Sequence, residues 1–368
     1  MARAPRGYAS FMTVNTNVPQ TDVVRDDMRE ILANDLPWHD LHGKTILVAG
    51  ASGMIPSYVV RTLLAINDAR DARITVLGVV RNGGRARAAF ADLGEREDLK
   101  IIEHDVTVPL DDVTGVDLVV NGASPARPSL HSARPVDTIR ANVQGAFNLL
   151  DLCARTGAGY VTMSSAEVYG AQPDAASLIS ETDYGPVDIL NPRSSYTEGK
   201  RASETVAVTY RAQYDLRVTI ARFGHIYGPG MALDDGRVQA DFTADVIGGR
   251  DILLNSDGSA RRTYTYLADA VAGLFFALLR GDELAYNVAD RDGFVTIRDL
   301  AETFAAARPS AGLRVRFGDG VDVSKYNPTK GQGLDDARLR ALGWTAKVTL
   351  ADGVSRTIAW HEQRAEER

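Results

Sequence analysis

The chain has 368 residues, 45% of them hydrophobic and 24% charged, enough apolar content to bury a sizeable core as two domains or as one large α/β domain with insertions. A formal net charge of -7 and a sequence pI of about 5.5 argue against a general nucleic-acid or anionic-membrane surface, while local basic sites for phosphates stay in play. A single cysteine excludes an intrachain disulfide, six scattered histidines show no metal-ligand spacing, and neither a run of roughly 18 apolar residues nor the apolar centre of a secretory signal is found, so a cytoplasmic protein with no nucleic-acid or membrane partner is expected.

Residues 1–40 read as an extension with one helix, in which Val24, Met28, Ile31 and Leu32 recur at helical spacing after a Thr21/Asp22 cap signal. From Lys44 the pattern alternates. Strand TILVAG, a helix from Ser57 to Asn67, strand ITVLGVV, a basic stretch through Arg81, Arg85 and Arg87, and strands KIIEHDV and DLVVNGAS come first. A helix from Val136 to Arg155 follows, with Cys153 on its apolar face, then strand YVTMSS, a helix from Ser195 to Tyr214 and strand RVTIARF. Such alternation predicts a doubly wound parallel α/β sheet with helices on both faces. After Gly224 the segments GPGMALDDGR, GGRDILLNSDGS and NVADRDGFVT break the rhythm into short strands and loops. Residues 41–227 are therefore expected to form mainly the nucleotide-binding domain, and residues 228–368 mainly a smaller lobe with some segments returning to the first.

Gly50-Ala51-Ser52-Gly53 follows the first strand of this alternation and opens a helix. Glycines there let backbone N–H groups approach a pyrophosphate at a helix N-terminus, where the partial positive charge favours anions. The third glycine position of G-x-x-G-x-x-G holds Pro56, tolerated in a first helical turn, so close helix-to-strand packing must be solved differently. Tyr196 and Lys200 form Y-x-x-x-K, and i, i+4 spacing puts both on one helix face. An ammonium beside a phenol favours phenolate, as a base that deprotonates a hydroxyl near neutral pH requires. Ser164, Ser165 and Glu167 lie just past a strand's carboxyl end, where open α/β sheets bind ligands.

With these motifs in this order, the chain resembles the extended short-chain dehydrogenase/reductase family, in its nucleotide-sugar epimerase, dehydratase and decarboxylase branch. The resemblance covers roughly residues 43 to 362 and rests on GASGMI, ASPARP, SSAEVYG, YTEGKR, RFGHIYGPGM with DDGRV, GSARRTYTY and LGW. Several of these look like UDP-glucuronate decarboxylases. The resemblance implies a Rossmann-like fold and a tightly bound NAD or NADP held by Gly50, Ser52, Gly53, Met54, Ile55, Arg81, Asp105, Val106, Ala123, Tyr196 and Lys200. Tyr196 would take the proton of a sugar 4-hydroxyl, Lys200 would tune it, Ser165 would hold the same hydroxyl, and Glu167 would act near C5. Ser124, Pro125, Glu167, His225, Arg237 and Arg262 would bind a nucleotide sugar, a UDP-sugar being favoured, with Arg262 on the diphosphate.

There are departures. Ala166 stands where dTDP-glucose-type dehydratases carry an aspartate, and His225 where many relatives have asparagine. The strand ending GVVRN lacks the acidic residue that binds an NAD ribose 2′-hydroxyl, and Arg81 there suits a 2′-phosphate, so NAD and NADP both stay open. Asn142 matches an asparagine that supports the active-site helix. The leading expectation is a UDP-glucuronate decarboxylase-like enzyme acting through a transient 4-ketone. A 4-epimerase or 4,6-dehydratase, an NADPH-dependent 4-keto-sugar reductase and a non-catalytic dinucleotide sensor are the alternatives. The family also implies a homodimer through the helices that begin near Val136 and Ser195.

Overall fold

The apolar runs TILVA, LVVN and GYVTMSS are buried on nearly every residue, as strands covered on both faces must be. They belong to a computed structural model that describes residues 22–125, 127–172, 177–318 and 331–366. Thr21 of the expected cap and Ala126 of ASPARP lie outside the described residues.

The first part of the chain forms α1 (Val23–Leu32), β1 (Thr45–Ala49), α2 (Met54–Arg70), β2 (Thr75–Val80), α3 (Gly83–Ala89), β3 (Leu99–Glu103), β4 (Leu118–Asn121), α4 (Pro128–Ala133), α5 (Pro135–Thr156) and β5 (Gly159–Ser165). Then come β6 (Leu178–Ile179), α6 (Ser194–Tyr214), β7 (Val218–Phe223), β8 (His225–Tyr227), α7 (Val238–Ile247), β9 (Ile252–Leu254), β10 (Arg261–Tyr266) and α8 (Leu267–Arg280). The remainder forms β11 (Ala285–Val288), β12 (Phe294–Thr296), α9 (Ile297–Ala306), β13 (Val315–Phe317), β14 (Gly331–Leu334), α10 (Ala337–Ala341) and α11 (Leu350–Glu366).

Seven parallel strands build the large sheet in the order β11-β7-β5-β4-β1-β2-β3. Alternate residues of β1 serve opposite faces. Ile46 and Val48 pack into one core with Tyr58, Leu63 and Phe275, and Leu47 and Ala49 into another with Leu149 and Ala207. This is the doubly wound arrangement. The strand order reverses between β1 and β4, which opens a crevice at their carboxyl ends. The second sheet has the order β12-β10-β14-β6, with β8 beside β10. β6, from before residue 227, pairs with β14 in this small sheet, and β11 returns to the edge of the large one.

Three local expectations are corrected. α2 begins at Met54 rather than Ser57, because Gly53 is already its N-cap residue. The basic stretch folds as α3, nucleated by the Asn82 side chain accepting from Arg85 N at 2.8 Å. A short helix, α4, precedes α5, with Pro128 in its first turn.

α1 is tied to the rest of the molecule through the buried Asp27. One carboxylate oxygen accepts from the hydroxyls of Tyr58 (2.9 Å) and Tyr266 (2.8 Å), and the other from Arg356 (3.0 Å), whose guanidinium also grips Glu30. Burial pushes the Asp27 carboxyl up to about 6 against these donors.

Candidate active site

At the carboxyl end of β1 the backbone turns through Gly50 at φ +74°, where an added Cβ would lie 2.9 Å from Gly122 O and 3.0 Å from Ala123 backbone. Gly53 caps α2 without any side-chain bond, so first-turn N–H groups of α2 stay available to an anion. Pro56 packs where a third glycine is usual, and the space is found on β4's side instead: a Cβ on Gly122 would sit 2.4 Å from Pro56 Cγ. Crowded glycines beneath an uncapped helix start fit a bound dinucleotide.

Arg81 is exposed at the end of β2. Asp105 follows β3; partial burial raises its carboxyl, but the Thr107 N–H and hydroxyl, both 2.9 Å from Oδ1, hold it below the usual carboxylate range. Val106 is fixed by Asn148, whose amide donates to its carbonyl at 2.8 Å. Met54 and Ile55 occupy the first turn of α2, with Ser52 just before the cap.

β5 and the first turns of α6 supply the second group. Ser165 Oγ accepts from Glu167 N at 3.2 Å, and the Ser165 side chain acts on the Tyr196 phenol to lower it. Glu167 is gripped on both sides of Tyr196, by the N-cap residue of α6 and from its first turn. Arg193 donates to Oε1 and Oε2 at 3.1 and 3.4 Å, and Thr197 donates to Oε2 at 3.0 Å. Lys200 Nζ, 5.9 Å from the Tyr196 ring centroid, is buried and donates to Met163 O at 2.7 Å.

Burial and then the Glu167 charge push the Tyr196 phenol up, with the Ser165 side chain pulling it back. Burial instead lowers the Lys200 ammonium to about 8, against the pull of Glu204.

The small lobe faces this group. Parallel pairing of β8 with β10 sets His225 opposite Tyr264, ring centroids 5.6 Å apart, and two-residue alternation puts Arg262 on the Tyr264 face. Arg262 is buried and donates to Arg261 O at 2.7 Å. Burial, with the Arg262 and Arg237 charges, drives the His225 imidazole down to about 3. Arg237, held by Asp235 at 3.0 Å, acts electrostatically on His225, Tyr196 and His131, and Arg262 feels Glu167, so both lobes line one site.

Among the described residues, the buried polar atoms with no partner within the protein include Ser124 Oγ, His131 Nδ1, His225 Nδ1 and the Tyr264 hydroxyl at this site. A buried polar group left unmatched costs about 1–3 kcal/mol, so these atoms fit a polar ligand here.

Sequence reasoning missed His131, Arg193, Thr197 and Glu204. His131 stacks on Tyr196 with ring centroids 4.1 Å apart and planes 9° apart, and Pro125 O accepts from its Nε2 at 2.9 Å. Burial keeps this imidazole below its ordinary range. Glu204, one turn after Lys200, accepts from Ser164 at 2.5 Å and pairs with the buried Arg222 at 2.7 Å. Its i+4 spacing from Lys200 was the one available signal. Asn142 donates to Thr138 O at 2.9 Å within α5, where its Cβ lies 3.2 Å from the position a Cβ on Gly199 of α6 would take.

UDP-glucuronic acid decarboxylase 1 of Arabidopsis thaliana is 32% identical over 315 residues, 85% of this chain and 69% of that protein. Decarboxylase 6 of the same plant is 32% identical over 319 residues, covering 84% and 86%. The crystal structure of a UDP-glucuronic acid 4-epimerase from Bacillus cereus, in complex with UDP-glucuronic acid and NAD, superposes with a TM-score of 0.72 at 20% identity, covering 87% of this chain and 99% of that one. The model of the NAD dependent epimerase/dehydratase family matches residues 46–289, and this chain, with its glycine turn, Ser165 and Tyr196/Lys200 pair at the crevice, belongs to that family of NAD-dependent nucleotide-sugar enzymes.

Proposed function

We propose that the protein removes the C6 carboxylate of UDP-glucuronate by way of a transient ketone at C4. The observation that carries this reading is Glu167, fixed by Arg193 and Thr197 beside Tyr196, next to a buried Ala166 that offers no proton to a departing C6 hydroxyl. Similarity to plant decarboxylases over most of the chain supports it.

In this reading the large sheet carries the dinucleotide, its pyrophosphate on Gly50, Ser52, Gly53, Met54 and Ile55, its adenosine near Arg81, Asp105 and Val106, and its other end near Ala123, Tyr196 and Lys200. When bound, a nicotinamide dinucleotide supplies a reversible hydride acceptor and a positive ring that favours phenolate. Tyr196 takes the 4-hydroxyl proton while Ser165 holds that hydroxyl. Once C4 is a ketone the sugar is a β-keto acid: the C5–C6 electron pair moves into the carbonyl, carbon dioxide leaves, C5 regains a proton on the side that Glu167 serves, and the C4 alcohol would be restored by return of the hydride to C4 with the Tyr196 proton to its oxygen. Arg262 and Arg237 meet the diphosphate, with Ser124, Pro125 and His225 lining the sugar and nucleotide.

A homodimer through α5 and α6 fits the apolar side chains these helices expose. No described helix is long and apolar enough to cross a membrane, and the lone, buried Cys153 suits a reducing, cytoplasmic setting.

The test is to incubate the pure protein with UDP-glucuronate and follow carbon dioxide and the sugar product by NMR, with absorbance at 340 nm as a check on net reduction. Release of carbon dioxide with a UDP-pentose product and constant absorbance is expected. Tyr196→Phe is expected to lower turnover by about 100-fold or more with dinucleotide binding retained. Turnover of a dTDP- or GDP-hexose with none of UDP-glucuronate overturns the reading.

A further inference from the structure

The cation that sorts acidic from neutral sugars is identifiable from the placement of Arg193. Hexose and hexuronate differ only at C6, two bonds from C4, whose hydroxyl Tyr196 and Ser165 address. Arg193 is the N-cap residue of α6, three residues before Tyr196, and Glu167 lies two residues beyond Ser165, so both are anchored to the same pieces that locate C4. The guanidinium already grips a carboxylate through two nitrogens, the fork geometry that suits this anion. Other cations of the site are committed elsewhere. Lys200 is buried on Met163 O, Arg237 is paired with Asp235, and Arg262 is buried on β10 with a bond to the Arg261 carbonyl. Arg193 is the more accessible, its side chain 36% exposed, and its partner Glu167 keeps the Thr197 hydroxyl as an independent anchor.

We propose that Arg193 is the specificity residue of this site, a guanidinium parked on Glu167 in the free protein that receives the sugar's own carboxylate on binding. This rests on the hexuronate reading above and deepens it. A neutral hexose leaves the Arg193–Glu167 pair unopposed and gains nothing from it. A hexuronate brings a second carboxylate, which the same fork accepts, while Thr197 holds Glu167 in place. Charged and polar groups facing the pair are His131, Tyr196, Thr197, Arg237 and Arg262, and none of them adds a second anion.

Binding, not turnover, tests this. In a Tyr196→Phe background, which prevents consumption of the ligand, affinities for UDP, UDP-glucose and UDP-glucuronate are measured by calorimetry with Arg193 intact, as Arg193→Met and as Arg193→Lys. Arg193→Met is expected to weaken UDP-glucuronate by about 10- to 100-fold, the range of a charge-assisted bond, while UDP and UDP-glucose stay within about twofold. Arg193→Lys, which keeps the charge and loses the fork, is expected to fall between. Equal losses for all three ligands, or no loss for UDP-glucuronate, overturn the assignment, even if carbon dioxide is released by the native protein. Preserved Arg193 selectivity without carbon dioxide release would overturn the decarboxylase reading alone.

Discussion

At the scale of single residues, Lys200 carries the clearest pH signature. Its ammonium is buried on a backbone carbonyl, and burial lowers it to about 8 from an ordinary lysine value of about 10.5. A lysine lowered in the folded state keeps its proton below that value and sheds it above, so turnover that needs the ammonium is expected to fall as pH rises through about 8. Stability moves the other way: the cost of burying the charge is fully present below pH 8 and is relieved as pH rises toward the unfolded value. Glu204 is the one charge that pulls Lys200 back up, so Glu204→Gln is expected to move the falling limb of the kcat profile to lower pH. Glu204 also pairs with Arg222, so melting curves must accompany the kinetics. A limb that stays in place in a folded Glu204→Gln protein would show that another group sets it.

Elements of secondary structure show how an unusual motif was accommodated. Pro56 fills the position where glycine normally lets a helix approach a strand, and the missing room is supplied by Gly122, just after β4, where a Cβ would come 2.4 Å from the proline ring and 2.9 Å from Met163 Sδ. Methionine can yield, but a proline ring in the first turn of a helix cannot. Gly122→Ala is therefore expected to lower stability by about 1–3 kcal/mol, the usual range for overpacking, and Pro56→Ala in the same chain to restore part of it. Thermal melts of the two single variants and the double variant check this, and strict additivity would remove the compensation. The large sheet was legible because TILVA, LVVN and GYVTMSS are continuous apolar runs, and Tyr196, Lys200, Ser165 and Glu167 because their meaning is local: a helical spacing and a strand end. α3 was hidden by the two glycines of GGRARAA, and α4 by SLHSA, which has no apolar period. His131 and Arg193 were hidden for another reason. Their partners are Tyr196 stacked across α4 and α6, and Glu167 beyond β5, and only tertiary folding brings those pairs together.

For the whole molecule, the surface that α5 and α6 share is the one to test for assembly. These helices pack closely on each other through Gly199 and Asn142, yet turn Val136, Ile139, Phe147, Val208 and Tyr214 outward, from 39% to 60% exposed. Phe147, Tyr210 and Tyr214 form an aromatic row, with centroid separations of 6.2 and 5.3 Å, that runs from one helix to the other. Exposed apolar and aromatic side chains on these two helices suit an association surface, and a two-fold axis through it would pair the helices of two copies. Light scattering is expected to give twice the chain mass of 39.7 kDa for the native protein and the single-chain mass for Phe147→Glu, because a carboxylate cannot be buried there without a partner. A native protein at single-chain mass would rule this assembly out. In the proposed dimer α6 would lie at the interface, and it also carries Tyr196, Thr197 and Lys200 with Arg193 as its N-cap, so its packing would fix the base as well as the assembly. Dissociation of such a dimer is therefore expected to lower kcat more than it raises KM, since Arg262, Arg237 and His225, proposed to hold the nucleotide end, stand on the other lobe.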